Sequence, residues 1–346
     1  MRPDGANWGD FGDDDVLGRL NLVGPEQVQK GIAEVRDGRV FCLSLELNQP
    51  SGVRLSPHRL PPITRPTLRA GHVNFNCDMA VAFEGATDVV SDDLVVLHTQ
   101  FSTQWDAFGH VGARFDADDD GAPELVYYNG WRANREVVAT DDSRRAGLDS
   151  LVDIDGAAEG LASTSDAGPV GINHMARHGV QGRAVLVDLE AHFGNEGTLV
   201  GHSELQSVLR MDEVTIEPGD FLVLHTGFAR AFAGATQTTV PEKCAVLDGT
   251  DTDLLDWIGA SGVVAIAADN HAVEAFPPPA HSAGQAVLPL HEFCLFRLGI
   301  HLGELWWLSE LAEHLRGTRR SRFLLTAPPL RLPGATGSPV SPIATT

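Results

Sequence analysis

Positive charge is scarce in this sequence. Lysine and arginine total 25 against 47 aspartates and glutamates, a formal charge of −22 over 346 residues. A surface of that sign repels phosphate backbones and anionic bilayers, so neither nucleic acid nor a membrane is an expected partner. Cysteine is scarce too: Cys42, Cys77, Cys244 and Cys294 are too scattered for a zinc ribbon or a disulfide framework and are read as reduced, partly buried thiols. No apolar run reaches the length of a membrane-spanning helix, and "MRPDGANWGDFGDDDVLG" has neither the basic region nor the apolar stretch of a secretory leader. The expected compartment is the cytoplasm. Also missing are G-x-S-x-G, the P-loop, H-E-x-x-H and the dinucleotide fingerprint, which removes the commonest serine hydrolase, nucleotidase, zincin and Rossmann readings.

What is present is the composition of a soluble globular chain, with 43% hydrophobic and 21% charged residues. Residues 1–24 space Trp8, Phe11, Leu17, Leu20 and Leu22 among Gly, Asp and Asn, which predicts an ordered arm lying over a surface. Pro25 opens a helix over "PEQVQKGIAEVRDG", and "RVFCLSLEL" (39–47) alternates as a strand. Residues 49–70, rich in proline and arginine, read as irregular loop. The second half alternates: strand 182–190, helix 203–214, strand 219–228, helix 251–261, strand 262–269, helical segments 288–300 and 308–317, and a closing strand 321–330. Strand–helix alternation predicts an α/β fold with a mixed sheet and flanking helices, one domain over 25–346 behind the arm.

The densest chemistry lies in "LVVLHTQFSTQWDAFGHVG" (94–112). If 94–106 is extended, His98, Gln100, Ser102, Gln104 and Asp106 share one face, and Leu97, Thr99, Phe101, Thr103 and Trp105 the other. His110 follows four residues after Asp106, and no Lys or Arg decorates the run as an edge strand kept soluble by charge would require. A polar edge strand and a ligand-binding wall are both compatible with this pattern. "AADNHAVE" sets Asp269, Asn270, His271 and Glu274 after a buried strand, where open α/β sheets collect ligand groups; His225 and Thr226 share that placement. "DADDDGAPELVY" (116–127) begins like a calcium loop but has Pro123 and Tyr127 where ligands belong, so it is read as a solvated acidic loop.

The run from Gln100 to His110 resembles the H-x-G-T-H-x-D-x-x-x-H signature of the metal-dependent cyclase family, which includes kynurenine formamidases and isatin hydrolase. Thr103, Asp106 and His110 stand in register, and Gln100 and Gln104 replace its first two histidines. "NWGDFGDDDVLGRLNLV", "AADNHAVE", "LPLHEFCLFRLGIHLGE" and "GSPVSPIA" extend the resemblance to a longer, glutamine-bearing branch over nearly the whole chain. The resemblance implies a swivelling β/β/α fold and a divalent metal ion held by Asp106, His291 and Glu304, with Gln100 and Gln104 as weak ligands. It gives His110 the role of general acid/base. A carboxamide is a weaker, harder donor than imidazole, which favours manganese or magnesium over zinc. His98 and His301 are alternative imidazole ligands.

The function so implied is metal-assisted hydrolysis of a cyclic amide, formamide or lactone. A ring-forming or dehydrating cyclase, and a metal-free binding relative, are the other readings. Trp105, Phe108, Asp269, Asn270 and His271 are the expected contacts for a planar or cyclic small molecule, and Trp8, Phe11, Trp306 and Trp307 could add aromatic walls. The resemblance also implies a homodimer or homotetramer, with the aromatic arm reaching a neighbour.

Overall fold

The computed structural model describes residues 1–50, 55–69, 71–147, 163–233, 244–279 and 283–346. Its main sheet has nine strands: β1 (Val40–Cys42), β2 (Gln104–Asp106), β3 (Gln181–Asp188), β4 (Phe221–His225), β5 (Ala265–Ala268), β6 (His301–Glu304), β7 (Arg322–Thr326), β8 (Gly337–Pro339) and β9 (Ile343–Thr345). Their order is β1-β9-β7-β3-β4-β5-β6-β2-β8. The four central strands, β3 to β6, are mutually parallel, and antiparallel strands flank them on both sides. The mixed α/β architecture is therefore the expected one.

Central parallel strands are apolar on both faces because both are covered. Leu222, Leu224, Ile266 and Leu302 point to one core, completed by Leu205, Val208 and Leu209 and by Leu254 and Ile258. Phe221, Val223, Ala265 and Ala267 point to the other, with Trp105, Trp306, Leu311 and Leu315. The helices supplying these stripes are α2 (His202–Met211), α3 (Thr252–Ser261) and α4 (Ser309–Thr318), while α1 (Pro25–Ala33) lies against β3 through its buried Gly31. Proline at its first position starts α1. Asp251 caps α3 by accepting from the amides of Asp253 and Leu254, and Gly262 ends it at φ 74°. Among the described residues no helix is long and apolar enough to cross a membrane.

Four local expectations are corrected. Residues 49–70, expected as irregular loop, carry short strands at Ile63–Pro66 and Leu68–Arg69. The strand expected over 39–47 keeps its ladder only at Val40–Cys42. The continuous strand expected over 94–106 is broken: Asp93–Val96 and Gln104–Asp106 are extended, and a turn in which the Phe101 amide donates to the His98 carbonyl separates them. The sheet also does not close at Thr326, since β8 and β9 follow from proline- and glycine-rich sequence with no strand signal of its own. The segment 288–300 is helical as expected, a single turn at Pro289–His291 running into a π-helical stretch at Glu292–Arg297.

Residues 1–24 lie on the chain's own body. The Trp8 indole donates to the Phe296 carbonyl at 2.7 Å and packs edge-on against Phe296 and Phe115. Arg19 donates through its backbone to Gly299 at 2.8 Å and through its guanidinium to the carbonyl of Ile258 at 2.9 Å. Gly18 makes this approach possible: its φ is +57°, and a Cβ there would sit 2.1 Å from the Gly299 oxygen. Gly18→Ala is expected to destabilise the fold by about 3 kcal/mol through left-handed strain and overpacking. Urea unfolding checks this, and an unchanged midpoint would show that the arm contributes little to stability.

Candidate metal centre

β2 lies between β6 and β8, with Asp106 opposite Leu302 and Gln104 opposite Glu304. The two-residue period sends Gln104 and Asp106 to one face and turns Trp105 away. His291 enters from the turn that opens the helical segment after β5. One ligand atom from each of Asp106, His291 and Glu304 lies within 4.8 Å of the other two, and all three residues are buried. His291 Nε2 is 3.3 Å from Glu304 Oε1 and 4.0 Å from Asp106 Oδ2. The Gln104 amide donates to Glu304 Oε2 at 3.1 Å. Asp106 Oδ2 and Gln104 Oε1 are buried without a hydrogen-bond partner.

His291 is aimed by Glu274. Its Nδ1–H donates to Glu274 Oε1 at 2.7 Å, and the same carboxylate accepts from the backbone amides of Leu290 and His291, each at 2.9 Å. A carboxylate holding the far nitrogen is the usual means of fixing a ligating imidazole. Burial alone would lower the His291 pKa, but hydrogen bonds and charge from Glu274 and Glu304 outweigh it and push it up to about 10. Burial likewise opposes ionisation of Glu304, yet the His291 hydrogen bond and the charges of His271, His291 and Arg59 hold it at about 2. Burial raises Asp106. Without a cation, then, a proton on His291 and a reluctance of Asp106 to ionise relieve the repulsion. The orphaned Asp106 oxygen, the facing carboxylates and a pre-aimed imidazole fit a divalent cation.

His110 Nε2 stands 4.0 Å from Asp106 Oδ1, and the ring is partly exposed. Gln100 has other partners: its amide oxygen accepts from the Thr99 hydroxyl at 2.7 Å and its amide faces Thr336 at 3.4 Å. Trp105 and Phe108, expected at the substrate, are instead core side chains. The Trp105 indole packs against Trp306 at 5.0 Å and donates to the Ala327 carbonyl, and Phe108 stacks on His301 at 4.1 Å. Burial to 1% exposure leaves neither ring a surface for ligand. Asp269 accepts from the Thr226 amide and hydroxyl and from the Gly227 amide, and the Asn270 amide meets the carbonyls of Ala245 and Val273. Both knit strand ends together. His271 lines a small cavity with Arg59 and Gln100.

Neither alternative imidazole has its nitrogen in the cluster. His98 Nδ1 pairs with the backbone of Leu60, and His301 Nδ1 with the Asp106 carbonyl at 2.9 Å. Trp8 and Trp306 are core residues as well. Two residues acquire roles that the sequence reading did not assign. Glu274 was visible only as part of "AADNHAVE". Arg59 lies in a proline-rich loop with no motif, donates to the Gln100 carbonyl at 2.9 Å, and carries the charge felt by both Asp106 and Glu304.

A second cluster joins Asp188, Glu190 and His225 at the ends of β3 and β4. His225 Nδ1–H donates to Asp188 at 2.8 Å, while Arg316 and Arg230 bind Asp188 and Glu190 at 2.6 and 2.7 Å. Arginine thus already neutralises these carboxylates. The acidic loop Asp116, Asp118 and Asp120 is largely exposed; Asp116 accepts from the amides of Asp120 and Gly121, and Asp118 pairs with Arg132.

Residues 58–275 match the sequence model of a family described as "Putative cyclase". Among solved structures, a novel cyclase is 28% identical and superposes with a TM-score of 0.72, covering 99% of this chain and 97% of that one. Isatin hydrolase A from Ralstonia solanacearum (15% identity, TM-score 0.52, 88% and 91% covered) shares the fold. So does isatin hydrolase A from Labrenzia aggregata, solved with benzyl benzoate (12%, 0.51, 89% and 94%). No curated protein matches the sequence.

The Asp188–His225 pair sets a pH dependence of stability. Burial lowers His225, but the Asp188 hydrogen bond and neighbouring carboxylates raise it above the ordinary value; burial raises Asp188, but His225 and Arg316 bring it below. The raised histidine contributes fully below about pH 6.5 and its share fades as pH rises through the folded value. The depressed aspartate contributes fully above about pH 4 and its share fades as pH falls through the folded value. Asp188→Asn should therefore cost most, about 3 kcal/mol, between those limits. Denaturation of both proteins from pH 3 to 9 tests this, and a penalty independent of pH would contradict the assignment.

Proposed function

The chain belongs to the cyclase family and is an enzyme of cyclase or hydrolase type, and on that premise we propose that it is a metal-dependent hydrolase of a cyclic amide, formamide or lactone. The observation that carries this reading is the buried triad of Asp106, His291 and Glu304, with ligand atoms within 4.8 Å and one Asp106 oxygen unpartnered. Those three residues would hold the cation, and the orphaned carboxamide oxygen of Gln104 offers a neutral fourth donor. Two carboxylates, one carboxamide and one imidazole favour manganese, with zinc and magnesium the other fits. When bound, such an ion lowers the pKa of water and polarises an acyl carbonyl.

The chain's own residues supply the rest. His110 is partly exposed and 4.0 Å from Asp106, a gap of the size that one water spans. Its Nε2 takes the proton of the attacking water as the new C–O bond forms. The same nitrogen returns that proton to the leaving nitrogen or oxygen as the acyl bond breaks, giving a free amine or alcohol and a carboxylic acid whose remaining proton passes to solvent. Glu274 keeps His291 in one tautomer and orientation. Arg59 and His271, which line a small cavity with Ser56 and Gln100, are assigned to the acyl oxygen or the carboxylate it becomes. The substrate is a small molecule.

Protein prepared without chelator is expected to retain about one equivalent of manganese, and Asp106→Asn below about a tenth. Elemental analysis decides this, and equal metal content in the two proteins would refute the site. Glu274→Gln should weaken manganese about 10- to 100-fold by releasing the His291 ring. In a panel of lactones, formamides and cyclic amides, His110→Ala should keep its metal but lose about 10²- to 10⁴-fold in turnover. Unchanged turnover would remove His110 from the mechanism.

A further inference from the structure

His301 opens β6 and is only 2% exposed. Its Nδ1 lies 2.9 Å from the Asp106 carbonyl, at the point where β2 ends. A carbonyl can only accept, so Nδ1 carries a proton and donates. The other ring nitrogen, Nε2, is buried without a partner. A phenylalanine or leucine would fill the same space with no stranded nitrogen, so packing does not account for an imidazole here. The bond to Asp106 does.

The same ring stacks on Phe108, with centroids 4.1 Å apart and planes 21° from parallel. His301 thus grips the chain twice, at Asp106 and two residues later. From there the path to His110 is short and tied. The Ala107 amide donates to the Thr336 carbonyl at 3.0 Å, Gly109 to Val170 at 2.9 Å and His110 to Ala107 at 2.9 Å. This turn brings His110 Nε2 back to 4.0 Å from Asp106 Oδ1. Proton transfer between an imidazole and a metal-held water tolerates little error in that gap, since a misplacement of about 1 Å costs on the order of a hundredfold in rate. Thr336 and Val170 hold the turn from one side, and His301 ties it to β6, the strand that ends on Glu304.

We propose that His301 is a positioning residue that fixes the spacing between the metal ligand Asp106 and the proton carrier His110. It is a brace with two arms, a hydrogen bond to the Asp106 carbonyl and a stack on Phe108. The use made of that spacing rests on the catalytic reading above; the brace itself does not.

Two variants separate the arms. His301→Phe keeps a ring for the stack and removes the donor, and His301→Asn returns an amide N–H close to where Nδ1 stood. In manganese-loaded enzyme, His301→Phe is expected to lose about 10- to 100-fold in kcat with KM changed by less than about twofold, and His301→Asn to regain about tenfold of that loss. Hydrogen exchange supplies a readout independent of turnover: the amides of Gly109 and His110 should exchange about tenfold faster in His301→Phe while those of β4 and β5 keep wild-type rates. A folded His301→Phe with wild-type kcat, or with wild-type exchange at those two amides, would overturn the proposal. So would a rise in exchange spread evenly over the sheet, or a His301→Asn no more active than His301→Phe, since either describes a residue that only fills space. If wild type turns over none of the lactones, formamides and cyclic amides, the catalytic reading falls on its own, and exchange at Gly109 and His110 still decides for or against the brace. Should His301→Phe not fold, Phe108→Leu cuts the other arm and is expected to give the same local loss of protection.

Discussion

Two buried carboxylates, Asp106 and Glu304, face each other from adjacent antiparallel strands, and this repulsion organises the centre. Buried like charges cannot both remain ionised without something positive between them. In this chain the relief comes from His291, whose second nitrogen is already committed to Glu274. Gln104 adds a neutral amide donor at 3.1 Å from Glu304. An imidazole at that position could also be protonated, whereas a carboxamide cannot, so Gln104 leaves the net charge of the site to the cation and to His291.

The sheet makes that arrangement rigid. β2 has only three residues, yet it is paired on both sides and anchored from behind by Trp105, whose ring meets Trp306 and whose indole N–H reaches Ala327. A polar strand face can be held this firmly only because the opposite face is committed to the core. The same economy explains His301, which lends its Nδ1 to the Asp106 carbonyl while its ring stacks on Phe108. Trp105 and Phe108 thus support ligand geometry from within the core.

Much of the core was legible in sequence because its signals are local. The apolar runs at 182–190, 219–228 and 262–269 read as buried strands, and the segments at 203–214 and 251–261 as helices, each from its own periodicity, and elements stand there within a few residues of those bounds. Short-range reading failed where pairing is imposed from a distance. β8 and β9 become strands because β2 and β7 offer them edges to pair with, and the break between residues 96 and 104 is a turn closed by the Phe101 amide on the His98 carbonyl, after which Thr103 is tied to Leu45 and Leu305. In the site, Asp106 and His110 were marked by their spacing, and His291 and Glu304 came only through family resemblance. Glu274 and Arg59 act through tertiary placement, which no local pattern encodes.

The molecule contains an internal comparison that bears on function. Asp188, Glu190 and His225 form a carboxylate–imidazole cluster much like that of Asp106, Glu304 and His291, at the same end of the sheet. In the first, Arg316 and Arg230 sit on the carboxylates at 2.6 and 2.7 Å, so charge is balanced within the chain. In the second, no Lys or Arg forms an ion pair with either carboxylate among the described residues, and an Asp106 oxygen is left without a partner. Desolvating a carboxylate oxygen without a donor costs several kcal/mol, a burden that a purely structural site has every means to avoid, as the neighbouring cluster demonstrates. A buried negative site left open beside one that is closed by arginine is therefore best understood as reserved for a cation from outside the chain.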